Sequence, residues 1–183
     1  MSIPQEPGKA KLIIGLFMKE KDLLKPFAIE LQNVFGPVDM VSPWIPFDFT
    51  SYYESEMGAP LFRRLLTFEK LIGQDQLIYV KSCTNNLEAR YVMHEKRRIN
   101  ADPGILSHER FVLATGKNFT HRIYLKNGIF ADLTLIFTGG RFQVLPWTYP
   151  DYRDPKMLSF LEKTRKKYLT DLKAEQNSGK IKT

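Results

Sequence analysis

One cysteine, Cys83, is all that 183 residues provide. No intrachain disulfide and no cysteine-built zinc site can come from it. Its place inside a helical pattern gives it a packing role, and a reducing compartment suits so thiol-poor a chain. Long apolar runs are also missing, since no stretch nears the roughly 20 residues a membrane helix needs. The opening MSIPQEPGKAK is polar and leads straight into a strand-like run, without the apolar core of a secretory leader. The expected setting is cytoplasmic, away from membranes. Nucleotide signatures are lacking as well. Gly116-Lys117 is followed by Asn118, and the first glycine of a phosphate loop would fall on Phe111; neither G-x-G-x-x-G nor the guanine-reading N-K-x-D occurs. No two of the three histidines stand at H-x-x-x-H or H-E-x-x-H spacing, which argues against a histidine metal site, and no pattern identifies a cofactor.

What is present is a globular composition, 43% hydrophobic and 26% charged, with a net charge of +7. That charge is uneven: Glu162 to Thr183 holds seven Lys or Arg against three Asp or Glu, more than half of the excess. The rest of the chain is nearly balanced, so a nucleic-acid face is not expected and a solvated helix face is.

Lys11 to Met18 is a continuous apolar run of strand length, the pattern of a strand covered on both sides. Asp22 to Phe35 has helical spacing, with Asp22 available as a cap and Gly36-Pro37 as a stop. Val38 to Trp44 and Leu61 to Ile72 read as strands, the latter with Arg63 and Arg64 on opposite faces. Gln74 to Glu95 carries the stripe Leu77, Val80, Thr84, Leu87 and Tyr91 of a long helix. Arg97 to Leu106 looks like a strand broken by an Asp102-Pro103-Gly104 turn, and Ser107 could cap a short helix to Ala114. Three antiparallel strands are expected over His121 to Pro146, because Asn127-Gly128 and Gly139-Gly140 signal tight turns. In the middle strand Ala131, Leu133, Leu135 and Phe137 share one face, leaving Asp132 and Thr134 pointing away from the main core. Asp154-Pro155 opens a final helix to about Ala174. The class is α+β: a mainly antiparallel sheet with helices packed on one face, ferredoxin-like in its N-terminal part, then a three-stranded meander and a C-terminal helix. Residues 1–174 form one domain and 175–183 a disordered basic tail.

Two loops stand out. PFDFTSYYESEMG, from Pro46 to Gly58, brings Asp48, Tyr52, Tyr53, Glu54 and Glu56 together, and LPWTYPDYRD, from Leu145 to Asp154, brings Trp147, Tyr149, Asp151 and Tyr152 between prolines. Carboxylates and phenols this close can converge on a cation, a sugar or a water, and a ring can stack on a flat ligand. Equally, Phe47 and Phe49 can plug the core while the glutamates face solvent. Lys117, His121 and Arg122 open the meander, and Arg97, Arg98, Asn100 and Asp102 form a second polar set; such groups grip anions, and His121 can move a proton near neutral pH.

With these blocks laid out, PFDFTSYYESEMG, RRINADPGIL, VLATGKNFTHRIYL followed by GIFADLTLIF, and LPWTYPDY together resemble a bacterial family of uncharacterised proteins over roughly residues 10 to 170. Members are often labelled GTP-binding, although the family brings no established mechanism.

Three functions stay open on the sequence. The first is a cytosolic domain holding a small anionic, nucleotide-like molecule through Tyr52, Tyr53, Arg98, Asn100, Lys117, Arg122, Trp147, Tyr149, Asp151 and Tyr152. In the second, a metal-assisted hydrolase or phosphoesterase uses His121 as acid or base, with Asp48, Glu56 or Asp102 orienting water or holding a divalent ion. The third is interaction with nucleic acid or protein through the basic final helix, with Lys163, Arg165, Lys166 and Lys167. Oligomeric state stays open too.

Overall fold

The computed structural model describes residues 1–49 and 52–180, with side chains to residue 177. Positions 50 and 51 of the first aromatic loop, and the end of the expected tail at 181–183, lie outside the described residues. β1, Ala10–Met18, is buried along its whole length, as an unbroken apolar run requires. A tight turn at Lys21–Leu23 leads into α1, Leu24–Phe35; Asp22 lies inside that turn and caps nothing. α1 stops at Gly36, whose φ of 90° suits a residue without a Cβ. The strand expected over Val38 to Trp44 ends early as β2, Val38–Val41, and a separate β3, Ile45–Pro46, follows it, with Pro43 between them unable to donate to a ladder. The first aromatic loop contains one helical turn, α2, Glu54–Met57.

β4, Phe62–Ile72, is followed by α3, Leu77–Arg90. That helix ends short of the expected Glu95, because His94 and Glu95 adopt φ of 50° and 61°. Both residues are turn positions of a small hairpin made by β5, Val92–Met93, and β6, Lys96–Arg97.

β7, Ile99–Leu106, passes unbroken through Asp102-Pro103-Gly104, so the expected turn is absent: Pro103 pairs with Ile14 and Asp102 with Gly15 of β1. The ladder to β1 outweighs the local turn chemistry. β8, Arg110–Thr115, replaces the expected helix after Ser107, which instead pairs its backbone with Arg110 in a turn. The meander follows as β9, Arg122–Lys126, β10, Ile129–Thr138, and β11, Arg141–Val144, joined by turns at Asn127-Gly128 and Gly139-Gly140 as expected. α4, Pro155–Lys180, begins where Asp154 accepts hydrogen bonds from the N–H groups of Lys156 and Met157, and it continues beyond Ala174.

Among the described residues the large sheet runs β11-β10-β8-β7-β1-β4-β2, antiparallel throughout, with β3 beside β4 and β9 beside β10. Its β7-β1-β4-β2 half, with crossovers α1 and α3, has the strand order of a ferredoxin-like unit. Alternation along β1 sends Leu12, Ile14 and Leu16 toward Phe27 and Leu31 of α1 and Leu77, Val80 and Leu87 of α3. It sends Ile13 to the opposite face, where Leu65, Phe111 and Leu135 meet Met157, Leu161 and Tyr168 of α4. The fold is thus α+β as expected, while the last helix covers the face opposite the first two.

Asp132 corrects the alternation expected for the meander. It is fully buried, because the pairing of β10 with β8 slips between Leu133 and Leu135, and one extra residue in a strand reverses which side chains face inward.

At Gly104 an added Cβ would stand 2.7 Å from the carbonyl oxygen of Val112 and 2.9 Å from the ring of Phe111. Gly104→Ala must push β7 and β8 apart, and chemical denaturation is expected to show a loss of about 1–3 kcal/mol. An unchanged midpoint would mean the two strands lie less tightly than this.

Candidate functional site

The pairing of β7 with β8 covers only Gly104 to Leu106 against Leu113 to Phe111. Pro103 has no N–H to give a ladder, and before it the flank of β7 has no β8 partner. A cavity of about 640 Å³ opens at this split. Asn100 and Asp102 of β7 line one side, and Leu113, Ala114 and Thr115 of β8 the other. Phe17, Phe47, Phe49, Tyr52 and Tyr53 supply an aromatic wall, and Tyr149 to Tyr152 fold back from the second loop to close it.

Arg63 is the base of the site. It is 3% exposed. Its guanidinium pairs closely with Asp151, donates to the Tyr152 hydroxyl at 2.9 Å and stands 3.5 Å from Asp102. It also lies 4.7 Å over the Tyr152 ring and within 6 Å of the rings of Phe17 and Phe47. Burial works against the Arg63 charge, but the carboxylate of Asp151, Tyr152 and Asp102 outweigh it and lift the group above its ordinary value. Burial pushes the Asp151 carboxyl upward, against the pull of Arg63. Gly15 makes room for this cluster, since a Cβ there would stand 2.9 Å from Arg63 Nη2 and 3.1 Å from the Tyr152 hydroxyl.

Lys81 of α3 reaches the split and donates to the Ala101 carbonyl at 3.0 Å, with Asp102 at 4.0 Å. Arg97 is held bidentately by Glu56 at 2.5 and 2.8 Å and also donates to Asn100 Oδ1 at 2.7 Å, which ties α2 to the edge of the cavity. Asn100 itself is 5% exposed, and its Nδ2 has no hydrogen-bond partner among the described residues; the same holds for Arg63 Nε. Buried donors left this way are rare in proteins, and a ligand or a water is one thing that completes them.

On the far wall Arg122 donates to Asp132 at 2.8 Å, to the Lys117 carbonyl at 2.9 Å and closely to the Tyr149 hydroxyl. Burial, with the charge of Asp132, pushes Tyr149 up to about 12, and burial raises Tyr53. Lys117 lies over the Tyr52 ring at 4.4 Å.

Of the polar residues and rings singled out in the sequence, Phe47, Phe49, Tyr52, Tyr53, Arg97, Asn100, Asp102, Lys117, Arg122, Tyr149, Asp151 and Tyr152 share this wall. The others stand elsewhere. His121 lies behind it, 3.2 Å from Asp132 and stacked on Trp147 at 5.0 Å, and Trp147 donates to the Leu133 carbonyl. Glu56 is engaged by Arg97, Arg98 pairs with Glu20 on the surface, and Asp48 is exposed away from the cavity. Arg63 and Lys81 were not read as site residues from the sequence: Arg63 shows there only as half of the doubled arginine opening β4, and Lys81 as one lysine in a helix of mixed composition. Among the described residues no three His, Cys, Asp or Glu side chains group to hold a metal ion. None of the described helices is long and apolar enough to cross a membrane. On α4, Arg165 donates to the His108 carbonyl and Lys167 pairs with Asp171, so part of the basic run is engaged within the fold.

Fold and site together define an antiparallel α+β domain with a polar, aromatic-walled cavity where its sheet splits. The chain belongs to a family described as a domain of unknown function (DUF4416), which it matches over residues 8–168. Comparison with curated proteins and with solved structures found no match.

Proposed function

We propose that this domain binds a small molecule carrying an anionic group and a flat ring, nucleotide-like in outline, in the cavity between β7, β8 and the two aromatic loops. The observation that carries this reading is the unpartnered, buried Nδ2 of Asn100 in the cavity wall. A buried amide without an acceptor costs about 1–3 kcal/mol, which a bound carboxylate or phosphate oxygen returns. The volume falls in the range of small-molecule sites, and the rings of Phe49, Tyr52 and Tyr53 offer a stacking surface beside the cations.

Native mass spectrometry of the protein purified from cells, beside Asn100→Leu, tests this. A small-molecule adduct on the wild type, at least about tenfold less occupied on the variant, is expected from losing one such bond. Equal occupancy in both proteins, or no adduct on either, defeats the reading.

A further inference from the structure

The charges around the cavity are almost fully compensated. Arg63 faces Asp151 and Asp102, Arg97 faces Glu56 and Glu88, and Arg122 faces Asp132. The lining itself carries Arg63, Lys81, Arg97, Lys117 and Arg122 against Asp102 and Asp151, while Glu56, Glu88 and Asp132 stand behind the arginines they pair with. A polyphosphate would have to compete with these ion pairs for its cations, and desolvating several negative charges there is costly. Open valences of both kinds remain. Asn100 Nδ2 is a donor without an acceptor, and Lys117 has no carboxylate among the described residues within salt-bridge reach. Asp102 is the converse: 30% of its side chain is exposed, and its nearest cations, Arg63 at 3.5 Å and Lys81 at 4.0 Å, are too far for good hydrogen bonds. Asn100 and Asp102 sit two residues apart on one face of β7, about 7 Å, so one small ligand can touch both.

We infer that the cavity takes a small aromatic zwitterion, of the class of an aromatic amino acid: its carboxylate meets Asn100 and Lys117, its ammonium meets Asp102, and its ring lies against Tyr52 and Phe49. This rests on the cavity being a ligand site, and it narrows which ligand the site prefers. An ammonium at Asp102 supplies the close, charged partner that Arg63 and Lys81 do not, and a ligand of zero net charge leaves the wall balanced.

The test is a titration of the full chain followed by backbone amide chemical shifts, with L-phenylalanine, 3-phenylpropionate, phenethylamine and GTP as probes. L-Phenylalanine is expected to move the amides of Asn100, Asp102 and Tyr149 and to bind at least about tenfold more tightly than either compound lacking one charge, since each lost charge-assisted bond costs that much. Asp102→Asn should erase the advantage over 3-phenylpropionate. Lys117→Met, at an exposed position, should weaken both carboxylates and leave phenethylamine unchanged. Tighter binding of GTP or 3-phenylpropionate than of L-phenylalanine overturns the zwitterion and keeps the site. Cavity amides that stay still with every probe also overturn it, and the native-mass comparison then decides the site separately.

Discussion

Arg63→Met is expected to lower the unfolding free energy by about 3–5 kcal/mol, because it removes one partner of a buried ion pair and strands the other. Asp151 is 3% exposed and pairs closely with Arg63. With methionine at 63 it would face Tyr152 and Asp102 with no cation within hydrogen-bond reach, and Tyr152 would lose its 2.9 Å donor. Three aromatic faces would lose a guanidinium at the same time. Urea denaturation reads the loss directly. Adding Asp151→Asn to the methionine variant should recover a substantial part, since it takes away the stranded charge, and the coupling between the two sites should be far from additive. If Arg63→Met lies within about 1 kcal/mol of the wild type, the pair is wet in solution and the cavity is not built as described.

Lys11→Met is expected to be equally costly and to flatten a pH dependence. Lys11 is fully buried between Asp39, which it contacts closely, and Asp171 at 2.8 Å, so one lysine ties β1 to β2 and to α4. Burial works to raise both carboxyls, but hydrogen bonds from Lys11, with Thr67 at Asp39 and Lys167 at Asp171, hold them below the ordinary carboxylate range. A carboxylate lowered in the folded state contributes stability that is present above its unfolded value, near 3.9, and that is lost as pH falls through the lower folded value. The wild type should therefore hold its stability down to about pH 4 and lose it below that. Without Lys11 both carboxyls lose their largest lowering influence, while Thr67 and Lys167 still oppose burial at Asp39. The loss of stability in acid should therefore be smaller in the variant than in the wild type. Denaturation midpoints at about pH 3 and about pH 6 compare the two slopes: a variant that weakens in acid in parallel with the wild type would refute the role given to Lys11. The cost itself should again be about 3–5 kcal/mol.

Much of this architecture is written in local pattern. β1 shows as an unbroken apolar run, α3 as a stripe from Leu77 to Leu87, the meander as two glycine turns, and the opposite orientation of Arg63 and Arg64 follows from strand alternation alone. What failed locally was decided by distant neighbours. Asp102-Pro103-Gly104 has every attribute of a turn, yet β1 pairs along it and Gly104 is needed for the close approach of Val112. Arg110 to Thr115 is too short for its period to separate helix from strand, and pairing with both β7 and β10 settles it. Asp132 turned inward through a bulge that no spacing rule announces. The same division holds for the site. Its two loops were legible because rings and prolines crowd there, whereas Arg63 and Lys81 were not, because a cation in a strand or helix reads as a surface residue until its carboxylate arrives from elsewhere in the fold.

That carboxylate arrives late. Asp151 and Tyr152 lie on the segment after β11, which doubles back from the outer edge of the sheet to the strands at its centre. As the chain leaves the ribosome, β1, α1, β2, β4, α3 and β7 can assemble their ferredoxin-like half long before that segment exists. Throughout that interval Arg63 has Asp102 of β7 near it but lacks the buried Asp151, and the cavity has no floor. The half of the fold packed on α1 and α3 can form first and the cavity is completed last, with the closing of a single loop over a charge laid down early in synthesis.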